Sequence, residues 1–244
     1  MTNTAMAAAP TAAPRALPAR LIGVLTSPMA TFQTIVANPR WFGALAVTTL
    51  LVSFFSALPM TTEAGRQATL DQQVTTMKSF GVEVTPEMYD RMERSAARLP
   101  YTTAAGVIVI SPIIALIVAG LLFAVFNAAM GGEASFKQVY SVIAHAGVVS
   151  ALGALFSGTI NYFRGATGSV ANLGALLPML PDKSFIGSLL GAIDVFLVWY
   201  IVVLAIGLAV LYRRRTQPIA LTLLAVYAVI AVGIALFKSR VGGA

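Results

Sequence analysis

Two ionisable side chains stand inside long apolar stretches and are the residues best placed to do chemistry there. Asp194 lies in "GAIDVFLVWY", residues 191–200, and His145, the only histidine, lies in "SVIAHAGVVS", residues 141–150. A charged carboxylate at the centre of a membrane helix costs about 2.5–3.5 kcal/mol on insertion scales, and acids kept there often mark proton or cation paths. Asp194 and His145 are therefore candidates for an intramembrane relay. The alternative, which we favour, is a neutral carboxyl group that donates a hydrogen bond between helices.

The spacing of small residues predicts which way Asp194 faces. Gly187 and Gly191 form a G-x-x-x-G pattern, and Asp194 follows three residues after Gly191 and seven after Gly187. All three therefore share one face of a predicted helix. A second stripe of small residues, with a period of four, lies in the preceding predicted helix: Ala146, Ser150, Ala154 and Gly158. We expect these two helices to pack together through the stripes, with Asp194 pointing into protein. At about 1.5 Å per residue, an axial gap of several ångströms separates Asp194 from His145, so a direct hydrogen bond and a bridged contact both stay open.

Signatures of other chemistry are missing from the sequence. The absence of cysteine excludes disulfides and thiol catalysis, and a single histidine argues against a His-based metal site. Neither a P-loop nor a dinucleotide-binding pattern is present, and no catalytic set of a membrane protease occurs. The net charge of +7 comes without a basic groove with interleaved aromatic residues, so nucleic acid is not expected as a partner. We predict that the protein is not an enzyme and has no catalytic residues, cofactor or metal.

The composition is that of an integral membrane protein. Hydrophobic residues make up 58% of the 244 residues and charged residues only 10%, whereas soluble domains average about 25% charged residues. Five segments reach the roughly 20 apolar residues that span a bilayer. They are residues 41–60, 102–130, 138–163, 185–212 and 218–237. The sequence therefore predicts an all-α polytopic membrane protein with five transmembrane helices.

The remaining segments predict surface and terminal structure. Residues 1–19 are rich in alanine and proline and are expected to be a disordered tail, and residues 238–244 a short C-terminal tail. Ser27 and Pro28 begin a predicted short helix on the membrane surface. Residues 61–100 hold six of the nine acidic residues and predict an amphipathic helical hairpin with a solvated charged face.

Basic residues near the helix ends predict the orientation. A cytoplasmic N-terminus places the following basic residues inside: Arg15, Arg20, Arg40, Lys137, Arg213, Arg214 and Arg215. Because lysine and arginine accumulate on the cytoplasmic side, we expect the N-terminus inside and the 61–100 hairpin outside. For a bacterial protein this membrane is the inner (plasma) membrane.

Three stretches together resemble the Yip1 family of membrane proteins. They are "LTSPMATFQTIVANPRWFGAL", "GGEASFKQVYSVIAHAGVVSAL" and "LGAIDVFLVWYIVVLAIGLAVL", and the likeness covers about residues 20–237. The resemblance implies five membrane helices, a cytoplasmic N-terminus and no catalytic residues. Eukaryotic members are associated with Rab-type GTPases, vesicle traffic and membrane shaping. This chain departs from them because it lacks a long acidic N-terminal region, and its 61–100 hairpin is typical of bacterial-type members, which have no Rab partner.

The leading functional hypothesis is a non-enzymatic protein that organises the membrane or partner proteins through helix packing. Its partners would be the lipid bilayer and either other proteins or further copies of itself. The alternative is a small transporter or channel subunit that uses Asp194 and His145. A lipid-modifying enzyme would need a nucleophile or metal set that the sequence does not offer.

Overall fold

A computed structural model of the protein describes residues 16–176 and 184–241. Within these residues the chain forms α1 (Leu17–Thr26), α2 (Pro28–Ala37), α3 (Trp41–Ala57), α4 (Glu63–Ser79), α5 (Pro86–Ser95), α6 (Leu99–Phe123), α7 (Phe136–Arg164), α8 (Phe185–Gly191), α9 (Val195–Leu211) and α10 (Thr216–Val241). A π-helix, Ala124–Ala129, extends α6, and short 3₁₀ turns cover Leu58–Thr61, Ala96–Arg98 and Gly174–Leu176. The described part of the chain contains no β-strand, so the all-α prediction is confirmed.

Four stretches of the described residues are long and apolar enough to cross a membrane. They are Trp41–Thr61, Pro86–Ala129, Phe136–Arg164 and Thr216–Phe237, which contain α3, α6, α7 and α10. α9 is a shorter apolar helix of 17 residues, at the lower end of the usual spanning range of about 17–25. The protein is thus a polytopic helical membrane protein.

The single helix predicted over 185–212 is wrong. The chain forms α8, a helix of seven residues, and α9 begins only at Val195. Between them Asp194 is extended, with φ −95° and ψ 129°, and pairs with Asn172 in an isolated antiparallel bridge. An aspartate side chain offers the following backbone N–H groups an acceptor outside the helix, and here that local hydrogen bonding starts a new helix.

The predicted terminal boundaries also shift. α1 begins at Leu17, inside the region assigned to the disordered tail, and α10 continues to Val241, inside the region assigned to the C-terminal tail. Residues 1–15 and 242–244 of those two predictions lie outside the described residues.

α7 is the central helix of the bundle. It packs on α3, α6 and α9 in the bilayer region and on α1 and α2 near its beginning. A capping box starts it, because Ser135 accepts a hydrogen bond from the Gln138 backbone N–H and the Gln138 side chain accepts one from the Ser135 backbone N–H. Thirteen of its residues are buried. The buried positions include small and polar side chains such as Ala144, His145 and Ser141, which suit a helix surrounded by protein.

α2 packs on protein with the face that was expected to lie on the membrane. Phe32 and Ile35 are fully buried, and α2 contacts α7 and α9. A Cβ at Gly207 of α9 would lie 2.4 Å from Cγ1 of Val142 and 3.1 Å from Cε1 of Phe32, so glycine is what permits this close approach. Ser27 precedes the helix as predicted, but its side chain makes no capping hydrogen bond.

The predicted helical hairpin is present as α4 and α5. Gly81 has the positive φ of +76° that the turn requires, and Thr85 caps α5 by accepting from the Met88 N–H at 3.3 Å. The Gln67 side-chain amide donates to the Tyr89 hydroxyl at 2.9 Å and joins the two helices. The acids of the turn and of α5 are exposed, as expected of a solvated face: Glu83, Glu87, Asp90 and Glu93.

The bundle has two chemically different ends. At what we call the basic end, the Gln138 side chain donates to the Val36 carbonyl at 3.1 Å and Arg214 donates to the Met130 carbonyl at 2.9 Å. At what we call the hairpin end, Thr167 donates to the Gln72 side chain at 3.0 Å, and the Phe80 and Phe237 rings lie 5.7 Å apart. The basic end thus combines α2 with the loops before α7 and α10, and the hairpin end combines α4, residues 165–176 and the end of α10.

Candidate functional site around Asp194

The Asp194 carboxylate caps α9 at the hairpin end. Its Oδ1 accepts hydrogen bonds from the backbone N–H groups of Phe196 at 2.8 Å and Leu197 at 3.0 Å. Its Oδ2 accepts one from the Ser169 hydroxyl at 2.5 Å. The carboxylate therefore joins the start of α9 to the loop of residues 165–176, which we call the 165–176 loop.

In these hydrogen bonds Asp194 serves as the N-cap of α9 and as a partner of the 165–176 loop. An ionised carboxylate only accepts hydrogen bonds, and the N-terminus of a helix stabilises negative charge. The Ala171 N–H donates to the Ser169 oxygen at 3.3 Å. The expected hydrogen bond from Asp194 to another membrane helix is replaced by hydrogen bonds to the first turn of α9 and to the 165–176 loop.

Contacts from the 165–176 loop and from α10 hold the helix break. Leu173 donates to the Ile193 carbonyl at 2.9 Å, and Val195 donates to the Ala171 carbonyl at 3.0 Å, which forms the bridge to the 165–176 loop. From α10, the Tyr227 hydroxyl accepts from the Asp194 N–H at 3.1 Å and donates to the Ala192 carbonyl at 2.6 Å. One side chain from α10 thus satisfies two backbone groups that the break between α8 and α9 releases.

Replacing Tyr227 with phenylalanine should weaken the hairpin end. The Asp194 N–H and the Ala192 carbonyl would both lose a partner in a half-buried place, and each unsatisfied group costs about 1–3 kcal/mol when water cannot reach it. We expect a lower unfolding temperature in detergent and faster amide exchange at residues 192–197. Tyr162→Phe is the matched control, because Tyr162 is exposed at the same end of the bundle. Equal unfolding temperatures for the two variants would show that the hydrogen bonds of the Tyr227 hydroxyl do not stabilise the helix break.

The structure does not bring His145 and Asp194 together. The residues of α7 that line a cavity with Asp194 begin at Ser150, and His145 precedes Ser150 by five residues, or about 8 Å along the helix. His145 is fully buried, with Nδ1 2.7 Å from the carbonyl oxygen of Ser141. No relay between the two side chains is supported by this placement.

His145 belongs instead to a buried polar cluster near the basic end. It lies within electrostatic reach of Arg20 of α1, whose pKa is lowered by burial and by the neighbouring Arg40. Within the described residues, four buried polar atoms of α1, α2 and α7 have no hydrogen-bond partner: Arg20 Nε, Thr31 Oγ1, Ser141 Oγ and His145 Nε2. Sequence reasoning missed the cluster because it treated Arg20 only as a topology signal.

The two predicted stripes of small residues pack against helices other than those predicted. Gly187 is buried, but α8 packs on α10, and Gly191 is exposed. In the other stripe Ala146 is buried, and a Cβ at Gly158 would lie 2.1 Å from the backbone oxygen of Phe55, so this part of α7 packs on α3. Ser150 and Ala154 border cavities.

α7 and α9 do pack together, by contacts other than the two stripes. A Cβ at Gly153 would lie 2.9 Å from Cβ of Phe196, and Gly207 meets Val142 as described above. The stripe prediction failed because it assumed that α8 and α9 are one helix, which would have carried Gly187, Gly191 and Asp194 on one face.

Among residues 16–176 and 184–241, no three side chains of His, Cys, Asp or Glu come together in a way that could hold a metal ion. The acids of α5 are spread along an exposed face, and Asp194 uses its oxygens on backbone and hydroxyl donors. The candidate site is therefore an architectural junction of α9, α10 and the 165–176 loop.

Comparison with known proteins agrees with this architecture. The family model described as the Yip1 domain matches residues 22–237. The membrane protein YknW of Bacillus subtilis (strain 168) is 27% identical over 188 residues, which cover 77% of this chain and 76% of YknW. No solved structure matches. Because the family model covers nearly all of the described bundle, from α1 to α10, the chain belongs to the Yip1 family.

Proposed function

We propose that this protein is a non-enzymatic membrane protein that organises the bilayer or partner proteins around it through helix packing. The observation that carries the proposal is the use of the Asp194 carboxylate. All three of its hydrogen bonds serve the start of α9 and the 165–176 loop. The side chain that offered intramembrane chemistry thus has a structural task.

The surface available for organisation is that of α6. Very few residues in the most apolar part of α6 are buried. Among the long helices of the described residues, α6 packs mainly on α3 and α7. Large apolar side chains are exposed along it: Ile108, Val109, Ile110, Ile113, Ile114, Leu116, Ile117 and Leu121. α6 therefore presents most of its circumference to lipid or to another transmembrane helix.

The proposed setting is the bacterial inner membrane with the basic end in the cytoplasm. The support is the clustering of basic residues at that end, where Arg40, Lys137 and the run from Arg213 to Arg215 are exposed. The relative YknW is a bacterial membrane protein. The hairpin formed by α4 and α5 then lies outside.

Photo-crosslinking from α6 in native membranes tests the organising role. We expect benzoylphenylalanine at Ile110 or Ile117, both exposed and seven residues apart, to give a discrete protein adduct. The same label at Val229 of α10, which is also exposed, is the control for random collision and should give none. Two differently tagged copies in one cell reveal whether the adduct is a second copy of this chain.

Two results would overturn the proposal. One is a set of labels on α6 that react with lipid alone, which would overturn the part of the proposal that concerns partner proteins. The other is proton or cation flux through the purified protein in proteoliposomes that exceeds the flux in empty vesicles and disappears in Asp194→Asn. That flux would establish the transporter alternative, because asparagine keeps the helix cap and removes only the charge.

A further inference from the structure

Two adjoining cavities form one groove along the side of α7. The first, of about 310 Å³, lies between α3, α6, α7 and α9 at the depth of the membrane. The second, of about 260 Å³, lies between α7, α9 and the 165–176 loop and contains Asp194. Ser150 and Leu197 line both cavities. We call the combined space the lateral groove.

The lateral groove opens sideways to the bilayer. α7 is the most buried helix that spans the membrane, yet Ser150, residue 15 of its 29, is exposed. α6 and α9 both line the groove, and they have different main partners, since α6 packs on α3 and α7 while α9 packs on α2, α7 and α10. Ile114 on one wall is 54% exposed and Leu197 on the other is 40% exposed. A molecule can therefore enter from the lipid phase.

The chemistry of the groove changes along its length. Its deeper half is lined mainly by apolar side chains such as Leu45, Val52 and Ile143, and it also carries the hydroxyl groups of Thr48, Thr49 and Ser111. Its outer half is lined by Ser150, Ser157 and Ser169 and ends at the Asp194 carboxylate. The one acidic group thus stands at one end of a largely apolar groove, as a polar headgroup stands at one end of the acyl chains of a lipid.

The acid at the end of the groove favours a cationic headgroup. In the described part of the chain, no basic side chain forms an ion pair with Asp194. The ion pair found among these residues lies in α4 and joins Arg66 and Glu63. A carboxylate offers about four lone-pair positions, and Asp194 uses three of them. The remaining position of Oδ2 can accept a hydrogen bond from an ammonium group, and charge-assisted bonds of this kind are stronger than neutral ones.

We propose that the lateral groove binds one phospholipid of the leaflet at the hairpin end, with a primary-amine headgroup against Asp194 and an acyl chain in the deeper cavity. The opening toward the bilayer selects a lipid as the ligand, and the carboxylate selects the amine. This binding site goes beyond the organising role proposed above and does not depend on it.

Native mass spectrometry and thermal unfolding of the full chain in detergent test the headgroup preference. The probes are phosphatidylethanolamine and phosphatidylglycerol with identical acyl chains. We expect phosphatidylethanolamine to bind about tenfold more tightly and to raise the unfolding temperature more. In Asp194→Asn the helix cap survives, so the two lipids should bind equally. Equal binding of both lipids by the wild-type chain would overturn the proposal.

A second variant tests the groove itself. Ser150→Phe should fill the groove where the two cavities meet and abolish the added stability from either lipid. Ile117→Phe is the matched control, because Ile117 is exposed on α6 but lies outside the groove lining, and it should bind both lipids as the wild-type chain does. Leu197→Trp offers the same obstruction from the opposite wall if Ser150→Phe does not fold. Unchanged lipid binding in a folded obstruction variant would show ordinary annular contact and overturn the proposal.

Discussion

Asp194→Leu should destabilise the protein strongly, whereas Asp194→Asn should fold almost as the wild-type chain does. Leucine removes the acceptor for the N–H groups of Phe196 and Leu197 and for the Ser169 hydroxyl. Loss of a helix N-cap costs about 0.5–2 kcal/mol. A buried donor left unsatisfied costs about 1–3 kcal/mol, which concerns the half-buried Phe196 N–H most. Asparagine is itself a strong N-cap and retains an oxygen for the two backbone donors.

Thermal unfolding in detergent measures the difference between these two variants. Amide exchange should also localise it, with the first turn of α9 and the 165–176 loop opening in Asp194→Leu and staying protected in Asp194→Asn. If the leucine variant matched the asparagine variant, the hydrogen bonds of Asp194 would be irrelevant to stability. The junction described here would then be wrong.

Gly158→Ala should disrupt the contact between α3 and α7, which is the most extensive helix pairing in the bundle. An added Cβ would lie 2.1 Å from the backbone oxygen of Phe55, and a backbone atom cannot move aside as a side chain does. Overpacking of a buried contact costs about 1–3 kcal/mol and occasionally more. This cost exceeds the gain of up to about 1 kcal/mol that alanine brings to a helix interior.

Gly120→Ala in α6 is the matched control for that substitution. A Cβ at Gly120 meets no atom within 4 Å, so only the helix propensity changes and the variant should be neutral or slightly more stable. The comparison uses unfolding temperature in one detergent for both proteins. A Gly158→Ala protein as stable as Gly120→Ala would show that α3 and α7 are not in close backbone contact.

The sequence was sufficient for the helices but not for the break at Asp194. Hydrophobic run length placed α3, α6, α7 and α10, because a bilayer demands about 20 apolar residues whatever the neighbours are. The run through Asp194 contains no proline, and therefore it was interpreted as continuous. One local signal was available, because an aspartate immediately before an apolar run can be the N-cap of a helix. Thr85 has the same position before α5.

The partners of the candidate residues could not be predicted from one sequence. Ser169 is 25 residues and Tyr227 33 residues from Asp194, and only the fold brings them together. The short helix α2 was predicted, but an apolar helix face fits a membrane surface and a protein surface equally well. His145 is buried in α7, and its neighbour Arg20 lies on α1, a helix that the sequence analysis did not predict.

The helix break also gives the protein a hydrophobic belt of uneven height. α9 has 17 residues and the apolar stretch of α10, Thr216–Phe237, has 22, which correspond to about 26 Å and 33 Å of helix. A hydrocarbon layer of about 30 Å is taller than α9 and shorter than α10. Lipids beside α9 must compress, while α10 must tilt or project, and each adjustment costs a fraction of a kcal/mol per ångström. A thinner bilayer fits α9 better and α10 worse, so the two neighbouring helices favour different local thicknesses.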